Sequence, residues 1–132
     1  MKLMKFLIAF LAISTLFAIY SCEKEYSYGP KITVVKPIFN DSVKVNKKLA
    51  VKTEFYDIDG LQTVSLNVHA KLKGNIDTLL FTSLFTTQGV ETFKLDTSLT
   101  FAQAFGAITL HFQAKDFDGT PSEQVSFVKV YQ

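Results

Sequence analysis

Two short acidic segments carry the sharpest chemistry in this 132-residue chain: Asp57-Ile58-Asp59-Gly60 and Asp116-Phe117-Asp118-Gly119. Each repeats the pattern Asp-x-Asp-Gly. Calcium takes about six to eight hard oxygen ligands, and paired aspartates on loops supply them. Asp57, Asp59, Asp116 and Asp118 are therefore candidate metal ligands, with Ca²⁺ as the candidate cofactor. The same residues also build turns without any ion. An Asp side chain accepts a backbone N–H two residues on, and Gly takes the positive φ of a tight turn. An EF-hand loop would need Glu at its twelfth position. Val68 and Phe127 stand there, so neither segment is of that type. Ligation and turn formation both remain as readings.

The other reactive side chains are few. His69 and His111 are the only histidines. A zinc or copper site at this pair would need at least one more good ligand, and nearby Asn67 and Gln113 are poor ones. Cys22 is the only cysteine. The chain has no G-x-S-x-G, no H-E-x-x-H and no Gly-rich phosphate loop. The expectation is a protein that is not an enzyme.

The elements that must position these groups are strands. In Val64–Leu72 every even position is apolar and every odd one polar; Ile108–Ala114 repeats the alternation. In Leu49–Asp57, Leu49, Val51 and Phe55 share one face while Lys52 and Glu54 share the other. A period of two is the mark of a half-buried strand. Strands are expected at 31–36, 42–45, 49–57, 62–72, 77–85, 90–96, 107–115 and 124–131. A phase break between Phe127 and Val128 suggests a bulge or burial on both sides. Leu99–Phe105 has room for a helical turn. Phe55, Phe93 and Phe112 fall at inward positions and are expected in the core. Phe117 and Tyr56 flank the acidic segments, as a ligand-facing patch or as caps on the end of the fold. Short strands separated by turn signals, with no helical stretch of length, indicate an all-β fold: an antiparallel β-sandwich of about seven strands.

Residues 31–132 make one domain. Pro37 near the first strand, Phe55-Tyr56-Asp57-Ile58-Asp59-Gly60-Leu61, and Lys115-Asp116-Phe117-Asp118-Gly119 before the last strand together resemble the immunoglobulin-like domains of small Bacteroidota lipoproteins. The domain lacks the disulfide and packing Trp of antibody domains. The resemblance implies an Ig-like sandwich in which the two acidic segments are the B–C and F–G loops, at the same end. Cadherin-like modules use similar Asp-rich loops, which implies a calcium-stabilised, adhesion-type or glycan-binding use of that pole as the alternative function.

Ahead of the domain, Lys2 and Lys5 precede the apolar run Phe6–Ile19, interrupted only by Ser14 and Thr15. That run is shorter than the roughly 20 residues of a membrane-spanning helix. It reads as a signal peptide over 1–21. Ile19-Tyr20-Ser21-Cys22 resembles the lipobox of bacterial lipoproteins, with Tyr20 as its departure from the usual small residue. The resemblance implies cleavage before Cys22, lipidation of its sulfur, and an outer-membrane location on either face. Residues 22–30 then serve as lipidated Cys and tether. All fourteen basic residues are lysines. Losing Lys2 and Lys5 leaves twelve against twelve acids. A neutral chain without arginine is a poor nucleic-acid binder. The expected partners are the membrane, through the anchor, and an envelope protein or glycan. The expected role is a non-catalytic binding or interaction module.

Overall fold

A computed structural model describes residues 28–72 and 75–132. Cys22, the leader and most of the tether lie outside the described residues. Among the described residues the elements are all strands: β1 (Lys31–Lys36), β2 (Asp41–Lys44), β3 (Lys48–Leu72), β4 (Ile76–Thr100), β5 (Gly106–Asp116) and β6 (Pro121–Tyr131). The hydrogen-bonded path runs β1-β3-β5-β6-β2, with β4 on the other edge of β3.

The pairing registers turn this path into two layers. The first half of β3 pairs with β1 on one edge and the second half of β4 on the other. The second half of β3 pairs with β5 and the first half of β4, and β6 and β2 extend that layer. The two long strands thus cross from one layer to the other. Sequence reasoning divides each of them in two, at 57–62 and 85–90. The chain instead stays paired around the corner by means of matched bulges. Tyr56 faces Thr92 and Leu61 faces Val90, which leaves four residues of β3 opposite one of β4; Thr63 then faces Thr86, and the excess moves to β4. Bulges of this kind bend and twist a strand without ending it.

The buried side chains follow the change of layer. Leu49, Val51 and Phe55 point inward from the first half of β3, and Val64, Leu66, Val68 and Ala70 from the second. The inward phase moves from odd to even positions across the corner. Ile108, Leu110, Phe112 and Ala114 of β5 and Val128 and Val130 of β6 complete the core. Phe55 and Phe112 are fully buried. Each such ring contributes roughly 1.5–3 kcal/mol relative to an exposed one, which matters in a domain with no disulfide. Thr53, inward between Val51 and Phe55, buries a hydroxyl that finds no hydrogen-bond partner.

Three expectations need correction. No helical turn forms at 99–105: β4 runs to Thr100, and a bend follows before β5. The β5–β6 register has no shift; Phe127 pairs with Thr109 and points outward, so the break in hydrophobic phase is an exposed phenylalanine rather than a bulge. Phe93 is only partly buried against the core. At the start of the described residues Pro30 is buried and Gly29 lies against Thr120–Ser122.

Candidate functional site

The two acidic segments meet at one pole, together with the β4 bulge. The Phe117 N–H donates to Gly60 O at 3.3 Å. Gly60 (φ +94°) lies so near Gly89 that an added Cβ would stand 2.7 Å from Gly89 O. A Cβ on Gly89 would in turn stand 3.1 Å from the Phe117 ring. Thr87 closes the corner by donating its hydroxyl to Leu61 O at 2.6 Å.

Within this pole the four aspartates divide by burial. Asp57 and Asp116 are buried, while Asp59 and Asp118 are exposed. Asp57 Oδ1 accepts the Asp59 N–H at 2.8 Å, and Asp116 Oδ1 accepts the Thr120 N–H at 2.7 Å. The inner pair thus braces the backbone of its own turn. Among the described residues no three His, Cys, Asp or Glu side chains come close enough to hold a metal ion. Phe117 lies close to Gly89 yet stays half exposed, and Tyr56, paired with Lys31 and Thr92, is exposed as well.

The second grouping lies on the outer face of the layer containing β5, where sequence reasoning placed His69 and His111. Their rings meet edge to face at 5.1 Å. His69 Nδ1 lies 3.5 Å from Asp77 Oδ1 on β4. His111 Nδ1 lies 2.7 Å from Glu123 Oε1 on β6; a carboxylate only accepts, so that ring nitrogen carries the proton. Asn67 and Gln113 belong to the same system. The Thr82 hydroxyl donates to Asn67 Oδ1 (2.6 Å), Asn67 Nδ2 to Gln113 Oε1 (3.2 Å), and Gln113 Nε2 to Glu123 Oε2 (3.2 Å). Ser65 also donates to Gln113 Oε1. The donors point one way across four strands and converge on Glu123.

Glu123, Asp77 and Thr82 were not singled out from sequence. Starting the last strand at 124 puts Glu123 in a loop, whereas β6 begins at Pro121 and sets Glu123 opposite Gln113. Beside the row runs a groove of about 380 Å³, lined by Thr63, Ser65, Gln113, Lys115, Ser122 and Glu123 among others. Phe127, 56% exposed, lies on the same face of β6. A second, apolar cleft of about 310 Å³ opens where the halves of β4 diverge; Phe81, Phe85 and Phe93 wall it, with Lys94 and Asp96 alongside.

The hydrogen bonds from His111 and Gln113 hold the Glu123 carboxyl below its ordinary pKa. A depressed folded-state value means the row stabilises the fold above the unfolded carboxyl's pKa. That contribution is lost as pH falls through the folded value. Because Glu123 is largely solvated, its share of stability is small, and the direct readout is the carboxyl resonance. In an NMR titration Glu123 should protonate at lower pH than a free glutamate. In His111→Ala its midpoint should move back toward the ordinary value; an unchanged midpoint would show that the pair does not form.

No protein-family model matches the chain, and no curated protein matches it. Solved structures do. The fibronectin(III)-like modules of Clostridium thermocellum CbhA align with 76% of this chain and 94% of theirs, at 22% identity and a TM-score of 0.50. The sporulation control protein Spo0M of Bacillus subtilis aligns over 80% of this chain but 50% of its own, at 11% identity and 0.54. A β-glucosidase from Listeria innocua aligns over 78% of this chain and 16% of its own, at 15% identity and 0.50. The chain thus spans nearly the whole of the first and only part of the other two. At these identities the likeness establishes the fold alone, an immunoglobulin/fibronectin III-like β-sandwich.

Proposed function

We propose that this chain is a non-catalytic, lipid-anchored protein of the cell envelope whose Ig-like domain binds a hydroxyl-rich ligand, an envelope glycan. The binding surface is the outer face of β3, β5 and β6. The observation that carries this reading is the ordered row of Thr82, Asn67, Gln113 and Glu123 beside the 380 Å³ groove. Sugar hydroxyls both donate and accept. They suit a face that offers amide donors, amide acceptors and a carboxylate at the spacing of adjacent strands. Phe127 adds an exposed ring for the C–H face of a sugar. The anchor rests on the lipobox-like Ile19–Cys22 segment, and the non-catalytic role on a sequence that carries no G-x-S-x-G, H-E-x-x-H or Gly-rich phosphate-loop motif.

Isothermal titration of the mature protein with oligosaccharides released from the envelope tests this reading. One fraction should bind, and Gln113→Ala should weaken it about tenfold, the effect of roughly one charge-supported hydrogen bond. Binding unchanged by Gln113→Ala and by Phe127→Ala would remove the ligand from this face. The absence of binding by every fraction would reject the glycan reading.

A further inference from the structure

The chain leading back to Cys22 leaves the domain at the pole where the acidic turns meet. Pro30 is buried, Lys31 pairs with Tyr56, and Gly29 lies against Pro121 and Ser122. Only six residue steps separate Cys22 from Tyr28. Fully extended, they reach about 20 Å. β5 alone, with eleven residues running from the far end to this pole, spans roughly 36 Å. A tether shorter than the domain keeps this pole, and not the opposite one, beside whatever holds Cys22.

The pole is shaped for such a neighbour. Ile58 is 73% exposed and Phe117 54% exposed, and each occupies the x position of an Asp-x-Asp-Gly turn. The bond from Phe117 N–H to Gly60 O places the two turns side by side. Exposed Tyr56 pairs with Lys31, three residues after exposed Tyr28, and amphipathic aromatic rings suit a lipid–water boundary. Single exposed apolar residues are common on protein surfaces; what distinguishes this pair is its position at the exit of the tether. Asp59 and Asp118, exposed, follow the two apolar tips by one residue.

From this arrangement we infer that the pole docks on the phospholipid surface, with Ile58 and Phe117 entering the acyl boundary and Asp59 and Asp118 among ammonium headgroups such as those of phosphatidylethanolamine. The inference rests on the lipid-anchor reading. It leaves the β3–β5–β6 face directed away from the bilayer normal and open to a ligand. Shallow insertion of apolar side chains supplements an acyl anchor by adding buried apolar area.

The test uses the lipidated full chain reconstituted into vesicles of phosphatidylethanolamine and phosphatidylcholine. Once the Cys22 sulfur carries its diacylglyceryl thioether the protein has no free thiol, so an introduced cysteine takes an environment-sensitive dye at one site. Ile58→Cys and Phe117→Cys report the pole. Lys47→Cys reports the opposite end, and Phe39→Cys reports a residue 83% exposed on the loop between β1 and β2. At 58 and 117 the dye emission should shift to the blue, and quenching by aqueous iodide should fall several-fold; at 39 and 47 neither should occur. If Phe117→Cys loses its fold, Ile58→Cys alone still decides. Water-like emission at 58 in protein that floats with the vesicles overturns the docking and leaves the anchor standing. If Cys22 itself takes the dye and the protein stays at the bottom of a flotation gradient, the anchor fails and the docking with it.

Discussion

Gly60→Ala is expected to lower the melting temperature of the domain by about 10–40 °C, the equivalent of about 2–6 kcal/mol in a domain of this size. Two costs add. Gly60 has φ +94°, where a side chain brings about 1–3 kcal/mol of backbone strain. Its new Cβ would also stand 2.7 Å from Gly89 O and 3.1 Å from the Gly89 C and Cα. These are backbone atoms and cannot swing aside, so the β4 bulge must move. Such overpacking costs about 1–3 kcal/mol. Gly119→Ala separates the two terms. Gly119 has a similar φ of +83°, but nothing lies within 4 Å of the added Cβ. Thermal unfolding followed by circular dichroism should show a clearly smaller loss for Gly119→Ala. Equal losses would mean that the approach of β3 to β4 at the corner contributes nothing.

The second large effect is expected at Cys22. On the lipid-anchor reading a diacylglyceryl group is transferred to the Cys22 thiol to form a thioether, and serine offers no thiol for that bond. Cys22→Ser should abolish incorporation of radioactive palmitate, leave the leader uncut, and change how the protein fractionates with membranes. The size of the effect follows from chain arithmetic. Each buried methylene contributes about 0.8 kcal/mol of membrane affinity, a single acyl chain holds only marginally, and two or three hold firmly. Label uptake and processing equal to those of the parent protein would refute the anchor.

The strands at Leu49–Tyr56, Val64–Leu72 and Ile108–Ala114 were legible from alternation alone, because each has one face on the core and one in water. The inward residues Val51, Val64, Leu66, Val68, Leu110 and Phe112 are buried as the pattern requires. Alternation failed where the physical situation has no period. Asp57–Gly60 and Thr87–Gly89 carry turn residues, so they read as chain reversals; they are bulges that take a paired strand around a corner. Phe127 broke the pattern because an exposed phenylalanine looks like a core residue in sequence.

The meeting of the acidic segments at one pole was implied by the resemblance to immunoglobulin-like domains, which makes them the B–C and F–G loops. The polar row was legible only at its centre. His69, His111, Asn67 and Gln113 lie on outward phases, but their partners Asp77, Thr82 and Glu123 depend on cross-strand register, which hydrophobic pattern does not specify for residues facing water.

The entry of the chain into the fold has a mechanical consequence. Lys31 to Lys36 run away from the tether while hydrogen-bonded to β3, and Asp41 to Lys44 run the same way alongside β6. Traction on the chain ahead of Tyr28, against a load held by the body of the domain, is directed along these strands rather than across them. The bonds of each strand then bear the force together in shear and do not open one at a time, as they would if the strand were peeled from its end. On the lipid-anchor reading, a domain held in this way resists extraction through the segment that leads to Cys22.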